Sequence, residues 1–254
     1  MVKSPSGRAA TVAVLDYPGP STPARTKSVL LDDERLACAY PLDTRLPCTT
    51  SLPEYAAAVA VGLRVPPAVI VAYCGAAPVA RELARLFPVR PRLVMVNPLL
   101  LTADDGVLAL ASFLADDADA IGADDRRAAE AWLAEGADHD RALRGLTDRH
   151  LGRLEHQFGS PQPHLRPIAV QLATMQVQWV YHIAAAADRS GHDASADELH
   201  VVSAHQRCAP GCPARHEVLG ETVEEIFSDR RLADIVIAAA GSGQDAHQRP
   251  GQAC

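Results

Sequence analysis

One cysteine stands where the chain could do covalent chemistry. Pro66 and Pro67 introduce the apolar run Ala68 to Tyr73, which leads straight into Cys74-Gly75-Ala76-Ala77. Such a run reads as a strand buried on both faces. Pro78 sits where a first-turn proline is tolerated, and Val79 to Phe87 reads as a helix. A nucleophile at the tip of a sharp strand-to-helix turn needs small residues two before and two after it, the usual pattern being G-x-S-x-G. Here those positions are Ala72 and Ala76. A helix N-terminus beneath Cys74 would favour its thiolate, and the Gly75 N–H would point at a developing oxyanion. The same spacing also fits a structural cysteine that closes a strand–helix–strand turn.

Other reactive types are less clearly placed. The remaining cysteines are Cys38, Cys48, Cys208, Cys212 and Cys254. Cys208 and Cys212 form C-A-P-G-C, which lacks the second ligand pair of a structural zinc site, so they read as loop cysteines, with a redox pair the alternative, and no metal is expected. Asp116, Asp117, Asp119, Asp124 and Asp125 stand with Arg126 and Arg127, which reads as a solvated helix face and its turns. Asn97-Pro98 fits an ordinary turn as well as a functional position.

The elements that must position these residues alternate in type. Strands are predicted at Thr11 to Leu15, Arg35 to Tyr40, Ala68 to Tyr73, Arg92 to Val96 and Leu199 to Ser203, with a buried helix over Leu52 to Leu63. Strand, helix, strand between 68 and 96 implies a right-handed parallel crossover. Residues 102–193 carry only helical patterning, including a long apolar helix at Ile168 to Ala187, and read as an insertion or lid. Helices at Thr222 to Phe227 and Arg231 to Ala240 close the chain. The domain reading is therefore a core of 1–101 and 194–240, a helical lid of 102–193 and a polar, disordered tail of 241–254.

Composition bounds the function. The 254 residues are 48% hydrophobic, 22% charged and 4% aromatic, enough for one large α/β domain. A net charge of -7 argues against a broad nucleic-acid footprint. The first apolar run, Val12 to Leu15, is too short for a leader core or a membrane span, so a cytoplasmic location is expected and no membrane partner.

Leu52 to Phe87 carries a more specific signal. Leu-Pro-Glu-Tyr-Ala-Ala-Ala precedes the strand, and Ala-Arg-Glu-Leu-Ala-Arg-Leu follows the elbow cysteine. This stretch resembles the thioesterase domains that release products from polyketide and nonribosomal-peptide synthases, and their stand-alone relatives. The resemblance implies an α/β-hydrolase-type fold, with a mostly parallel sheet flanked by helices and a helical lid. In that family the strand after the nucleophile helix ends in the acid of the triad, and the matching residue here is Asn97. The family histidine follows the last strand in a His-x-apolar-apolar pattern, matched by His216-Glu217-Val218-Leu219. The implied triad is Cys74, His216 and Asn97, with His205 the rival base and Asp104 and Asp105 the fallback acids. Cysteine with asparagine is chemically coherent, because a thiolate beside an imidazolium needs orientation more than charge.

The resemblance also implies a second oxyanion donor in the loop Tyr17-Pro18-Gly19-Pro20-Ser21. Pro20 has no N–H, so Gly19 or Ser21 would supply it alongside Gly75. Tyr17, Tyr73, Met175 and Trp179 are candidate pocket residues. The expected activity is acyl transfer, releasing or cyclising a carrier-bound polyketide or peptide acyl chain through acyl-S-Cys74. No cofactor is expected beyond a phosphopantetheine carrier arm, and the partner would be an acyl or peptidyl carrier protein. The alternatives are a type II editing thioesterase that hydrolyses stalled carriers, and a non-catalytic acyl-binding relative.

Overall fold

The computed structural model describes residues 9–16, 26–43, 46–115, 121–134, 139–159, 162–187, 194–206, 208 and 210–241. Six strands form one sheet: β1 (Ala10–Leu15), β2 (Leu36–Ala39), β3 (Val69–Tyr73), β4 (Arg92–Val96), β5 (Leu199–Val202) and β6 (Arg215–Val218). Their order is β2-β1-β3-β4-β5-β6, and every pairing is parallel. The helices are α1 (Thr26–Leu30), α2 (Leu52–Val61), α3 (Ala77–Arg85), α4 (Ala103–Leu114), α5 (Ala123–Ala134), α6 (His139–Phe158), α7 (Leu165–Ala187), α8 (Val223–Ile226) and α9 (Arg231–Gly241). A 3-10 turn, Cys74–Ala76, joins β3 to α3.

The period of two along the strands divides the core. Ala13, Leu15, Ile70, Ala72, Leu93 and Met95 pack on α2, α3 and the end of α7. Val12, Val14, Val69, Val71, Val94, Val96 and Val201 face the other way, onto Leu30 of α1 and Leu232, Val236 and Ala240 of α9. Strands buried on both faces give the continuous apolar runs seen in the sequence. This is the α/β-hydrolase-type sheet flanked by helices that the sequence predicts, with four helices placed between β4 and β5. The longest of them, α7, is shared. Ala185 and Ala186 belong to the sheet core, whereas Val177, Val180 and Tyr181 pack against α4, α5 and α6. Asp104 and Asp105 lie in the first turn of α4, where Asp105 closes a capping box with Thr102 and Asp104 pairs with Arg126. None of the helices among the described residues is long and apolar enough to cross a membrane.

Two elements differ from the sequence expectation. α1 forms at Thr26–Leu30, where no element is predicted. β6 forms where a loop was expected, and it places His216 inside a strand. The chain leaves β6 through Leu219 and Gly220 toward α8. Gly220 has φ 69°, and a Cβ there would stand 2.5 Å from the Glu225 Cβ. Left-handed backbone and backbone-adjacent crowding both select glycine. Gly220→Ala is expected to destabilise the protein by about 1–3 kcal/mol, read from chemical denaturation.

Candidate functional site

β1 pairs with β2 on one side and β3 on the other; the connection leaving β1 packs α1 on one face of the sheet, and the connection leaving β3 packs α3 on the other. In open parallel sheets, ligands bind beyond the carboxyl ends of the strands at this kind of switch point. Asp16 directly follows β1 there, and Cys74 directly follows β3. Cys74 has φ 54°, and Asn97, which follows β4, has φ 48°. They are the non-glycine residues with left-handed backbone among those described. Asparagine tolerates this region, but cysteine is held there at a cost of roughly 1 kcal/mol or more. Such strain is characteristic of a nucleophile elbow, which turns the side chain out above the sheet.

The elbow is locked by its neighbours. The Leu99 N–H donates to the Cys74 carbonyl at 3.2 Å, tying the segment after β4 to the turn. A Cβ on Gly75 would stand 2.6 Å from the Leu101 Cδ1, so the Leu101 side chain would have to shift to admit one. Asn97 is 4% exposed, and its side-chain oxygen has no hydrogen-bond donor among the described residues. Burial pushes the Cys74 thiol above its ordinary value. The Gly75 N–H lowers it in part, and the charge of buried Asp16 raises it further. Among the described residues no cation enters that balance, and burial outweighs the stabilisation of the thiolate expected from the helix N-terminus. Asp16 was not singled out in the sequence, where it reads only as the start of a turn.

The structure does not bring His216 to Cys74. The register places Ala72, Met95, His200 and His216 in one row across β3, β4, β5 and β6. His216 is thus three strand spacings from β3, roughly 14 Å, and two residues short of the level of Cys74. Cysteine and histidine side chains cannot span that separation. Its assignment as base is corrected, because His216 lies within the last strand and does not follow it. The slot after β6 reads Leu219-Gly220-Glu221-Thr222. His205, in the segment after β5, lies at the carboxyl end of the sheet with its Nε2 3.8 Å from Glu221 Oε2; its side chain is 74% exposed.

The candidate pocket residues separate. Tyr73 packs edge-on against Phe227 at 5.0 Å between ring centroids, on the α9 side. Trp179 stacks on His182 at 5.7 Å, and His182 Nδ1 lies 3.1 Å from the Tyr55 hydroxyl. His182 is fully buried, which pulls its pKa down to about 4 and keeps it neutral. Met175 lies one turn before Trp179 on α7. Tyr17, Gly19 and Ser21 lie outside the described residues, as does the tail beyond Gly241.

A second cluster was missed by sequence reasoning. His200 Nδ1 is 3.1 Å from Cys208 Sγ and 3.6 Å from Cys212 Sγ. The His216 ring stands perpendicular to that of His200, with centroids 5.5 Å apart. One ligand atom from each of the four residues lies within 4.8 Å of all the others. Behind them, His200 Nε2 is 3.1 Å from Glu198 Oε2. Arg81 of α3 holds Glu198 through its Nε at 3.0 Å and its Nη2 at 3.0 Å. Arg81, Glu198 and His200 are 7%, 3% and 2% exposed.

No protein-family model matches the chain, and no curated protein matches it by sequence. Among solved structures, it is similar to the NocB thioesterase domain, determined as a covalent complex with a fluorophosphonate nocardicin G analog. Identity is 14% over 94% of this chain and 96% of that one, with a TM-score of 0.43. MGS-M2, an α/β hydrolase enzyme from a Medee basin deep-sea metagenome library, is 11% identical over 99% of this chain and 95% of its own, with a TM-score of 0.47. The RedJ thioesterase of the prodiginine pathway in Streptomyces coelicolor is 14% identical over 96% of each chain, with a TM-score of 0.41.

Proposed function

We propose that the protein is a thioesterase-like acyl-transfer enzyme that releases or cyclises a carrier-bound polyketide or peptide acyl chain through acyl-S-Cys74. The observation that carries this reading is the left-handed backbone of Cys74 at the carboxyl end of β3. In this reading the Cys74 sulfur attacks the thioester carbonyl, and the carbon–sulfur bond to the carrier arm breaks. The proton of Cys74 goes to the departing carrier thiol. An amine, hydroxyl or water then takes the acyl group and regenerates Cys74. Exchange of one thioester for another is nearly isoenergetic, so loading needs no external energy source.

The Gly75 N–H is the oxyanion donor, and Gly19 or Ser21 would supply the second. His205, backed by Glu221, takes the base role first given to His216, because both lie at the same end of the sheet as Cys74. Asn97 stands beside the elbow as the acceptor that orients a donor. The helices of 102–193 form the cover, with Met175 and Trp179 directed to the acyl chain. The substrate arrives on the phosphopantetheine arm of an acyl or peptidyl carrier protein.

A second reading is an acyl-binding relative without turnover. It is favoured by the raised Cys74 thiol, whose balance among the described residues includes no cationic neighbour. An acyl-pantetheine thioester incubated with and without an amine acceptor separates the readings. Amide product supports transfer, and free acid alone supports an editing thioesterase. Bound but unchanged thioester would leave the binding relative.

The raised thiol has its own consequence. Its folded pKa lies above the ordinary value, so the thiolate is a small fraction at neutral pH. Iodoacetamide labelling of Cys74 should rise about tenfold per pH unit from 7 to 9 without levelling. A plateau below pH 8 would mean that a cation reaches the sulfur.

A further inference from the structure

The cluster at the β5–β6 edge has the composition of a metal centre. We propose that His200, Cys208, Cys212 and His216 bind one zinc ion in a closed, tetrahedral structural site. The donor set is two imidazole nitrogens and two thiolates, which suits zinc above the harder divalent ions. Four protein ligands leave no open position, so the ion serves the fold and not the reaction. The site is independent of the acyl chemistry proposed at Cys74.

Three observations converge on it. The first is proximity: four ligand atoms from two strands and their connection all lie within 4.8 Å of one another. The second is preparation of the first ligand. Glu198 accepts a hydrogen bond from His200 Nε2–H, which leaves the Nδ1 lone pair directed at Cys208 and Cys212. A carboxylate behind a ligating histidine is the usual way to fix its tautomer and raise its basicity. Here that carboxylate is itself held from behind by Arg81 of α3. The third is need. β6 is an edge strand whose four residues are all exposed, so little apolar burial holds it. A metal joining His216 of β6 to His200 of β5 would pin that edge and the segment between them. Binding displaces the two thiol protons, as for any thiolate-bound zinc.

The full chain, purified under reducing conditions and supplied with zinc, should hold about one zinc per chain by elemental analysis. Cobalt substituted for zinc should give the intense visible bands of a tetrahedral site with thiolate-to-metal charge transfer. Cys208→Ser/Cys212→Ser should abolish both signals, while Cys38→Ser should keep them. Glu198→Gln should weaken zinc affinity about 10- to 100-fold in competition with a chelator. The proposal is overturned if the wild-type chain, with Cys208 and Cys212 reduced, takes up no stoichiometric zinc. It is equally overturned if the cobalt spectrum is octahedral or survives the double substitution.

Discussion

Replacing Cys74 with alanine is expected to lower thioester turnover by at least about a thousandfold while leaving substrate binding intact. Removing the nucleophile leaves only positioning and oxyanion stabilisation, which retain a small part of the acceleration. The substitution shortens one half-buried side chain and keeps every backbone hydrogen bond of the elbow, including Leu99 N–H to the Cys74 carbonyl. Folding should therefore be preserved, and relief of left-handed strain is not expected, since alanine tolerates φ 54° no better than cysteine. Single-turnover kinetics with an acyl-pantetheine substrate would check this. An unchanged rate would move the reaction away from the elbow.

The second large effect concerns stability. Arg81→Met should destabilise the protein by about 3–5 kcal/mol, because it strands a buried Glu198 carboxylate 3% exposed. For a chain of this size that corresponds to a fall of roughly 10 °C in Tm. The glutamate also gives the effect a pH signature. Burial pushes the Glu198 carboxyl up, but hydrogen bonds from His200 and Arg81 and the Arg81 charge outweigh it, so its folded pKa lies below the ordinary value. Stability from a depressed carboxylate is fully present above the unfolded pKa of about 4.3 and is lost as pH falls through the folded value. The gap between wild type and Arg81→Met should therefore be wide at pH 7 and narrow below pH 4. Thermal melts at the two pH values would reveal a constant gap if the pair were unimportant. Replacing both partners by apolar residues should recover part of the loss.

The half of the sheet that carries Cys74 was legible because its physics is local. The Val-Ile-Val-Ala-Tyr run of β3, small residues on either side of Cys74 and a first-turn proline after it specify strand, tight turn and helix within one stretch. The edge was not legible. Arg215-His216-Glu217-Val218 has no apolar alternation, since its residues are exposed and its strand is held by backbone pairing to β5. Missing that strand displaced the expected histidine from within the sheet to its end. It also hid the cluster of His200, Cys208, Cys212 and His216. His200 and His216 are sixteen positions apart in sequence and become partners only through the β5–β6 register. Cys208 and Cys212 looked incomplete because their two companions lie on strands and not in a second cysteine pair.

The central claim is that Cys74 accepts an acyl group. Intact-mass measurement after incubation with an acyl-pantetheine thioester, followed by peptide mapping, tests it most directly. The account predicts a single added acyl group on the peptide containing Cys74, removed by hydroxylamine and absent in Cys74→Ala. An unmodified chain after turnover, or an acyl group carried on Cys38, Cys48, Cys208 or Cys212 in its place, would contradict it.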